Sequence, residues 1–468
     1  MAIGIEIRTL EGLQTCLQKA NKLNTNILYS SVVKMNHISP LSFYMAGRDL
    51  YLGERFFWKE SMDDFAIAGL GKVDLFQAEA NAERYSYIEE KWRQMNADAI
   101  LVQENKIPGT GPLLFGGFSF DYQKSQSMLW DQFGDNFFYV PQYMITLAHG
   151  AAYLTININC SPGDDMDYLV EMVKKGEELA NRCQEQELSV TNRMLSVNEV
   201  DPEGWKQCVR EAVHTITETD MNKIVLARER RIVFEKAIRS EDVLAKLMEQ
   251  QGTSFIFSIE SGKDCFVGAS PERLVKKQDK EMLSTCLAGS IARGMNETED
   301  DQLGRALLTD PKNLVEHGYV VSMIKQSLEE VCTDVKVPAE PVLMKLKFIQ
   351  HLYTPVTAIC PENISLLDVV KQLHPTPALG GLPKQKAVDW IRAHERLERG
   401  LYGGPLGWMD AQGNGEYCVA LRSALLQGKE ASLFAGCGIV QDSVAEEEYK
   451  ETEIKFKPMI TALGGMQK

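Results

Sequence analysis

The sequence predicts an α+β fold with a two-layer α/β architecture, in which large antiparallel sheets are flanked by helices. Two observations carry this prediction. Short runs of β-type residues alternate between apolar and polar positions, and they are separated both by tight turns and by helical segments with recognisable N-caps. The chain has 468 residues, of which 44% are hydrophobic and 25% charged, so it can bury a substantial core.

The first portion of the chain mixes strands and helices. Strands are predicted at Ser42–Leu52, Gly111–Phe120 and Tyr143–Ile158, and helices at Asp74–Asn96 and Met166–Leu188. A new helix is predicted to begin at Asp201-Pro202, because aspartate is a good N-cap and proline fits the first helical position. We therefore expect a junction near residue 200, with an N-terminal α/β portion, 1–200, packed against a second portion, 201–468.

The second portion continues the alternation of short strands and helices. The predicted strands are Lys223–Ala227, Phe255–Ile259, Cys265–Ala269, Tyr417–Leu425 and Leu433–Val440. The predicted helices are Pro202–Glu218, Pro311–Val331 and Lys384–Arg399. A last helix is predicted to open with a capping box, Ser443 and Glu446, and to stop near Pro458.

Composition argues against several classes of protein. Fifty basic and 65 acidic residues give a net charge of −15, which disfavours a nucleic-acid partner. The ten cysteines form no C-x-x-C pair and are expected to be buried thiols in a reducing cytoplasm. The N-terminus shows no secretory signal, and the most apolar stretch, Tyr143–Ile156, is too short to span a membrane. No phosphate-binding glycine loop or zinc motif is present. No obligate protein partner is predicted, because the sequence shows no coiled-coil heptad and no obvious exposed apolar stripe.

Two ionisable residues lie at the ends of apolar strands. Lys223 opens the run to Arg228, where burial would lower its pKa and make it a base, although a lysine that reaches water is the alternative. Glu272 follows an apolar strand through a Ser-Pro turn, where desolvation would keep it protonated as a general acid. The alternatives are an ion pair between Glu272 and Arg273 and the capping of a turn by Glu272.

Acidic residues on two predicted helices form a candidate metal site. Glu316 lies four residues before Val320 and extends an apolar stripe, where a carboxylate needs a cation or the helix dipole. Glu448, Glu451 and Lys455 share one face of the last helix, although Glu451 and Lys455 alone would make a plain surface pair. Mg²⁺ suits such a set, because it typically takes one or two protein carboxylates and fills its shell with water and substrate oxygens.

One predicted strand offers a binding surface for an acid. Arg422 alternates with small residues on one face of this strand, and a guanidinium binds a carboxylate through two parallel hydrogen bonds. Gly436 and Gly438 follow on the next strand, where a backbone can approach a ligand closely. His351 and His374 are further polar candidates, although a lone histidine is more often structural.

The order of motifs from residue 200 to residue 460 resembles that of the chorismate-utilising enzymes. The motifs are KIVLAR, SPERL, LAGS, EH, QHL, HPTPALGG, ALRSA, AGCGIV and ExxExxxK. The N-terminal segments Phe115–Asp121 and Phe138–Pro141 look like those of the menaquinone-type isochorismate synthases. The feedback motif LLES of the anthranilate synthases is replaced by Ile27-Leu-Tyr-Ser30. Ala445 and Tyr449 stand where many relatives carry proline and tryptophan.

This resemblance implies the fold of the anthranilate and aminodeoxychorismate synthases, with 201–468 as the chorismate-binding catalytic portion. It also implies the reaction. Water-using members carry a lysine where ammonia users generally carry another residue, and that position is Lys223 here. The expected activity is that of a cytoplasmic, Mg²⁺-dependent isochorismate synthase, an isomerase, for menaquinone biosynthesis. The alternatives are a salicylate synthase, a siderophore-pathway isochorismate synthase and a catalytically silent chorismate-binding subunit.

The resemblance assigns a role to each matching residue. Lys223 would activate a water that attacks C2 of chorismate, and Glu272 would protonate the departing C4 hydroxyl. Glu316 and Glu451 would hold Mg²⁺ at the C1 carboxylate, with Glu448 in or near the coordination shell. The other matching positions line the substrate: Arg422 and Lys455 at its carboxylates, and Ser290, His351, Gly436 and Gly438 farther away.

Overall fold

The computed structural model describes residues 7–36, 38–61, 64–104, 106–124, 128–183, 192–345 and 349–465. The helices are α1 Ile7–Leu23, α2 Pro40–Ala46, α3 Arg48–Tyr51, α4 Arg84–Ala97, α5 Met166–Asn181, α6 Pro202–Glu218, α7 Ser240–Gln250, α8 Glu297–Thr309, α9 Pro311–Glu329, α10 Leu366–Leu373, α11 Lys384–His394 and α12 Ala445–Ala462. The strands are β1 Ile27–Met35, β2 Arg55–Lys59, β3 Ala66–Phe76, β4 Ile100–Val102, β5 Leu113–Phe118, β6 Asn136–Ala148, β7 Ala151–Cys160, β8 Met194–Glu199, β9 Lys223–Phe234, β10 Phe255–Ser261, β11 Asp264–Ser270, β12 Arg273–Gln278, β13 Glu281–Ala292, β14 Thr333–Lys336, β15 Val342–Lys345, β16 Ile349–Ile359, β17 Gly381–Leu382, β18 Pro405–Asp410, β19 Gly415–Val419, β20 Ser423–Gln427 and β21 Glu430–Ile439.

The strands form one connected system in which two arms meet at β6. One arm runs β6-β3-β2-β10-β11-β20-β21-β9 and ends at β8 and β17. The other runs β6-β5-β18-β19-β12-β13-β16 and ends at β14 and β15. These pairings are antiparallel, whereas β1, which joins β6 through β7, pairs with β4 in parallel. The predicted α+β class with large antiparallel sheets is confirmed.

An aromatic core lies between the two arms. Phe56 and Phe257 from the first arm share one buried cluster with Phe115 and Trp408 from the second arm. The rings of Phe56 and Phe115 stack with their centroids 4.1 Å apart. Helices α1, α5, α7 and α12 contribute to a second cluster with the first arm, and α4, α6, α9, α10 and α11 contribute to a third. The helices therefore flank a core of strands, and strands from before residue 200 pair with strands from after it through β2 with β10 and β5 with β18.

The predictions for several N-terminal elements are wrong. Ser42–Leu52, predicted as a strand, forms helices α2 and α3, and α2 begins with Pro40 in its first turn. Tyr143–Ile158 is split between β6 and β7 by a turn at His149 and Gly150, both of which have positive φ. Of the helix predicted at Asp74–Asn96, only the part from Arg84 is helical, because its first residues continue β3. Leu188, the predicted end of α5, lies outside the described residues.

The C-terminal predictions need similar corrections. The predicted strand Tyr417–Leu425 is broken at Arg422, whose φ of 48° is left-handed. The capping box is wrong, because Val444 is the N-cap of α12 and the Ser443 hydroxyl bonds to Glu448 instead of the helix backbone. This helix continues through Pro458 to Ala462. Helix α11 ends at His394 rather than at Arg399, whereas α6 has its predicted bounds, with Asp201 as N-cap.

A fully buried charge network lies away from the candidate chemistry. We call Arg55, Glu241 and Glu260 the Arg55 cluster. The Arg55 guanidinium donates to Glu241 at 2.9 Å, to Glu260 at 2.6 and 2.9 Å, and to the Tyr44 carbonyl at 3.0 Å. All three side chains are at most 3% exposed. Each charge in the cluster therefore has several partners, as a buried charge requires.

The thiols behave as the composition indicates. All ten cysteines are free, and nine of them are buried. Every helix in the described ranges is too short or too polar to span a lipid bilayer.

Candidate active site

Lys223 lies at the start of β9 and points its amine at helix α9. Its Nζ is 2.8 Å from Oε1 of Glu316, and its side chain is 13% exposed. Gly438 on neighbouring β21 makes room for it, because a Cβ at position 438 would lie 2.5 Å from Cε of Lys223. Gly381 on the other side has a φ of 131°, and a Cβ there would lie 2.1 Å from the Lys223 carbonyl oxygen. Two glycines therefore allow the close packing around this lysine.

Glu272 follows β11 at the turn into β12. Its backbone N–H bonds to the Ser270 hydroxyl at 3.2 Å, and the Thr376 hydroxyl lies 3.5 Å from its Oε1. Burial raises the pKa of Glu272 to about 7, although Thr376, Lys223 and Arg422 act in the opposite direction. Near neutral pH this carboxyl is thus populated in both protonation states, which suits a group that donates and later recovers a proton.

Helix α9 carries Glu316 and is anchored to the sheet next to this residue. Burial acts to raise the pKa of Glu316, but Lys223, assisted by the charges of Lys312 and Lys455, holds the pKa below its ordinary value. The next residue, His317, is 3% exposed. Its ring bonds to the Ala288 carbonyl at 3.0 Å and to the Thr354 hydroxyl at 2.7 Å. These bonds tie α9 to β13 and β16, so that the position of Glu316 is fixed by the sheet.

Helix α12 carries the other three candidate charges. Glu451 and Lys455 form an ion pair at 2.7 Å, and Lys455 also donates to the Gly436 carbonyl at 2.8 Å. Glu448 accepts from Ser443 at 2.7 Å through Oε1. Its Oε2 is buried and has no hydrogen-bond partner among the described residues. A buried carboxylate oxygen without a donor is costly, and it has the capacity to bind a cation.

Arg422 combines a left-handed backbone with a guanidinium that lacks a protein acceptor in the described part of the chain. Burial lowers its pKa, and Tyr402 is the largest of the groups that oppose this effect. Tyr402, which sequence reasoning missed, is 4% exposed and stacks on Phe434 with ring centroids 5.4 Å apart. Its hydroxyl lies 3.3 Å from the place of a Cβ at Gly436. An unneutralised guanidinium beside a phenol suits a ligand carboxylate.

Ser290 and His351 are cross-strand partners beside a bulge. Gly289, with a φ of 76°, interrupts the register of β13 between Ala288 and Ser290. Burial lowers the pKa of His351 to about 4, and the positive charge of Arg422 acts in the same direction. His351 is therefore neutral at pH 7, whereas Ser290 is exposed.

The site thus has a compact charged centre and a looser acidic rim. Contacts join Lys223 to Glu316 and Gly438, and Lys455 to Glu451 and Gly436. Among the residues that the structure describes, no three His, Cys, Asp or Glu side chains converge closely enough to hold a metal ion. Besides Tyr402, sequence reasoning missed Thr376, although its motif, HPTPALGG, was recognised. The glycine-rich sequence around Tyr402 was the available signal for that residue.

Known proteins resemble this chain over nearly its whole length. The family model for chorismate binding enzymes matches residues 13–464. The chain is 43% identical to isochorismate synthase MenF of Bacillus subtilis, with 96% of each sequence covered. It is 33% identical to the salicylate biosynthesis isochorismate synthase of Pseudomonas aeruginosa, over 97% of this chain and 94% of the relative.

A solved structure has the same fold as this chain. The menaquinone-specific isochorismate synthase MenF of Escherichia coli superposes with a TM-score of 0.79 at 24% identity, over 97% of this chain and 100% of that chain. The family model and the two full-length relatives point to the same family as this structure. The chain therefore belongs to the family of chorismate binding enzymes.

Proposed function

We propose that this protein is an isochorismate synthase, an isomerase that interconverts chorismate and isochorismate. One observation carries the proposal beyond the family relationship. A lysine amine and a carboxyl whose pKa is raised to about 7 occur in one site, beside an arginine that has no acceptor among the residues that the structure describes. A base, an acid and a carboxylate receptor are what the exchange of a hydroxyl between two ring carbons of an acidic substrate needs.

In the proposed reaction, Lys223 takes a proton from a water that attacks C2 of chorismate. Glu272 gives a proton to the C4 hydroxyl, which leaves as water while the ring double bonds shift. The net change moves one hydroxyl, and the protons on Lys223 and Glu272 are restored through solvent. Arg422 and Lys455 orient the substrate carboxylates, and Ser290, His351, Gly436 and Gly438 line the rest of the site.

We propose Mg²⁺ as the cofactor. The donor set suits it, since Glu316, Glu448 and Glu451 supply carboxylate oxygens and one oxygen of Glu448 is buried without a donor. Mg²⁺ needs only one or two protein carboxylates, which is compatible with the absence of a tight three-ligand cluster in the described residues. When bound, Mg²⁺ would neutralise charge on the substrate carboxylate.

The pathway and the setting are also proposals. The solved MenF of Escherichia coli is named as menaquinone-specific, and the 43% identity to MenF of Bacillus subtilis exceeds the 33% identity to the salicylate biosynthesis enzyme, which favours a menaquinone role. Ten free thiols are compatible with a reducing cytoplasm. We keep 1–200 and 201–468 as the proposed division into a supporting and a catalytic portion, without an obligate protein partner.

The first test is product analysis. Purified protein is incubated with chorismate, with and without Mg²⁺, and the products are separated by chromatography. We expect isochorismate alone, formed only with the metal. Salicylate with pyruvate would reassign the protein as a salicylate synthase, and no turnover would make it a silent chorismate-binding subunit.

The metal assignment has its own test. Glu451→Gln should raise the Mg²⁺ concentration needed for half-maximal activity by about 10–100-fold, because a neutral amide is a poorer ligand than a carboxylate. Glu446→Gln, whose carboxylate pairs with Lys206 at 3.0 Å on another face of the same helix, is the matched control. An unchanged magnesium titration in Glu451→Gln would remove Glu451 from the ligand set.

A further inference from the structure

One edge of β9 has a gap between its two neighbouring strands. On this edge β17 pairs with Lys223 and Ile224, and β8 pairs only from Arg230 onward. Main-chain bonds from Val225 to Gly380 (3.0 Å) and from Val200 to Glu229 (3.3 Å) close the two ends of this gap, and between them the backbone is bonded by side chains from a distant segment. Arg399 donates through Nη2 to the Val225 carbonyl at 2.7 Å, and Glu395 accepts from the Ala227 N–H at 2.7 Å. The two side chains thus substitute for a missing strand.

Glu395 and Arg399 are also an ion pair, and both side chains are 4% exposed. The guanidinium binds the carboxylate through two bonds, at 2.7 and 2.8 Å. It lies over the Phe120 ring, 4.1 Å from the centroid. A buried ion pair is weak evidence for added stability, since desolvation offsets much of the attraction. The Glu395–Arg399 pair therefore matters here for the other hydrogen bonds that its two side chains make to the backbone.

The hydrogen bonds of Arg399 to backbone carbonyls lie near both the proposed base, Lys223, and the proposed acid, Glu272. The Arg399 bond to Val225 lies two residues beyond Lys223. A third donor of Arg399, Nη1, bonds to the Leu379 carbonyl at 3.0 Å. Leu379 belongs to the loop that carries Thr376, whose hydroxyl lies 3.5 Å from Glu272. One guanidinium is thus bonded to the strand of the base and to the loop beside the acid.

We propose that the Glu395–Arg399 pair is a positioning device that fixes Lys223 and Glu272 relative to each other. This inference rests on the proposed function, because it needs those two residues as base and acid. Neither Glu395 nor Arg399 contacts them directly, so the effect is transmitted through the backbone of Val225 and Leu379. An ångström of misplacement costs about 100-fold in rate when reacting groups must align.

The test compares two buried arginines. Arg399→Lys keeps the charge, but one ammonium cannot make the two bonds to Glu395 together with those to both carbonyls. We expect kcat to fall about 10–100-fold while KM for chorismate stays within about threefold, because substrate carboxylate binding is untouched. Glu395→Gln should show the same split. Arg55→Lys is the matched control, because Arg55 is equally buried and outside the site.

A readout that folding alone would not move completes the design. Because the loop with Thr376 adjoins Glu272, Arg399→Lys and Glu395→Gln should shift the alkaline limb of the pH profile of kcat. Arg55→Lys should instead lower the melting temperature and leave both kcat and its pH profile unchanged. If the wild type makes isochorismate and Arg399→Lys behaves like Arg55→Lys, the pair is only structural and the inference is overturned. If the wild type makes no isochorismate, the proposed function fails first and the inference fails with it.

Discussion

The Arg55 cluster and the centre of the candidate site treat buried charge in opposite ways. Arg55 has two carboxylates and a carbonyl within hydrogen-bond distance. Arg422, also desolvated, has no protein acceptor in the described residues, and burial holds Glu272 partly protonated. Satisfied charges make a rigid interior, whereas unsatisfied ones leave interaction energy for a substrate. The difference indicates which region serves folding and which serves chemistry.

The largest expected effect is on catalysis. Lys223→Ala should lower kcat by about 10²–10⁴-fold, because it removes the proposed proton acceptor for the attacking water. Chorismate binding, measured by calorimetry, should change little, since Arg422 and Lys455 are the residues proposed to hold the carboxylates. Lys276→Ala, which breaks a pair with Glu60 outside the site, is the control. Turnover at the wild-type rate in Lys223→Ala would remove the lysine from the mechanism.

In the Arg55 cluster the large effect should be on stability. Arg55→Met leaves Glu241 and Glu260 buried without their cation, so the free energy of unfolding should fall by about 3–5 kcal/mol. Urea denaturation measures this loss. Activity per folded molecule should stay near that of the wild type, and a selective loss of kcat would show that the two regions are not separate in function.

In the candidate site, removing the charge of Glu272 should raise the stability of the protein instead of lowering it. The pKa of Glu272 in the folded protein, about 7, lies above its ordinary value of 4.5, so its contribution to stability is full below pH 4.5 and is lost as the pH rises through 7. Glu272→Gln should therefore be more stable than the wild type at pH 8, by about 2 kcal/mol, while it loses activity. Glu260→Gln should instead lose stability at that pH. Equal destabilisation by both variants in urea titrations would contradict the comparison.

The smallest expected effect is a shift in pH dependence. The rate in the direction of isochorismate should fall as Glu272 loses its proton above pH 7. Thr376 lowers the pKa of Glu272, so Thr376→Val should move this alkaline limb upward by less than about one pH unit. A pH–rate profile measures the shift, with Thr357→Val on β16 as a control. A downward shift would mean that the hydroxyl does not favour the carboxylate.

Much of this arrangement was predictable because motif residues lie at the ends of regular elements. The apolar pattern around Lys223 predicted the strand it begins, and the apolar stripe through Val320 predicted the helix that carries Glu316. Arg422 was harder to place. Small residues on one face alternate with large apolar ones on the other, as in a continuous strand, and a single left-handed residue leaves that pattern intact.

What the sequence could not predict depends on distant partners. The Ser443 hydroxyl has the spacing of a helix cap but bonds to the side chain of Glu448. Arg399 looks like the end of a helix, yet its partners include Val225, 174 residues away. Local patterns hold no information about backbone groups that the tertiary fold brings together, so such residues need the structure.

The pairing of β9 with β21 also bears on how this protein reaches its native state. These strands meet across ten residue pairs, from Val233 with Glu430 to Ile224 with Ile439, so most of the chain between them must be closed into a loop first. Contacts this remote in sequence slow folding. Until β21 and α12 arrive, β9 presents an open strand edge beside an incomplete site. An intermediate that lacked these last elements would therefore be inactive, and its open strand edge would be prone to self-association.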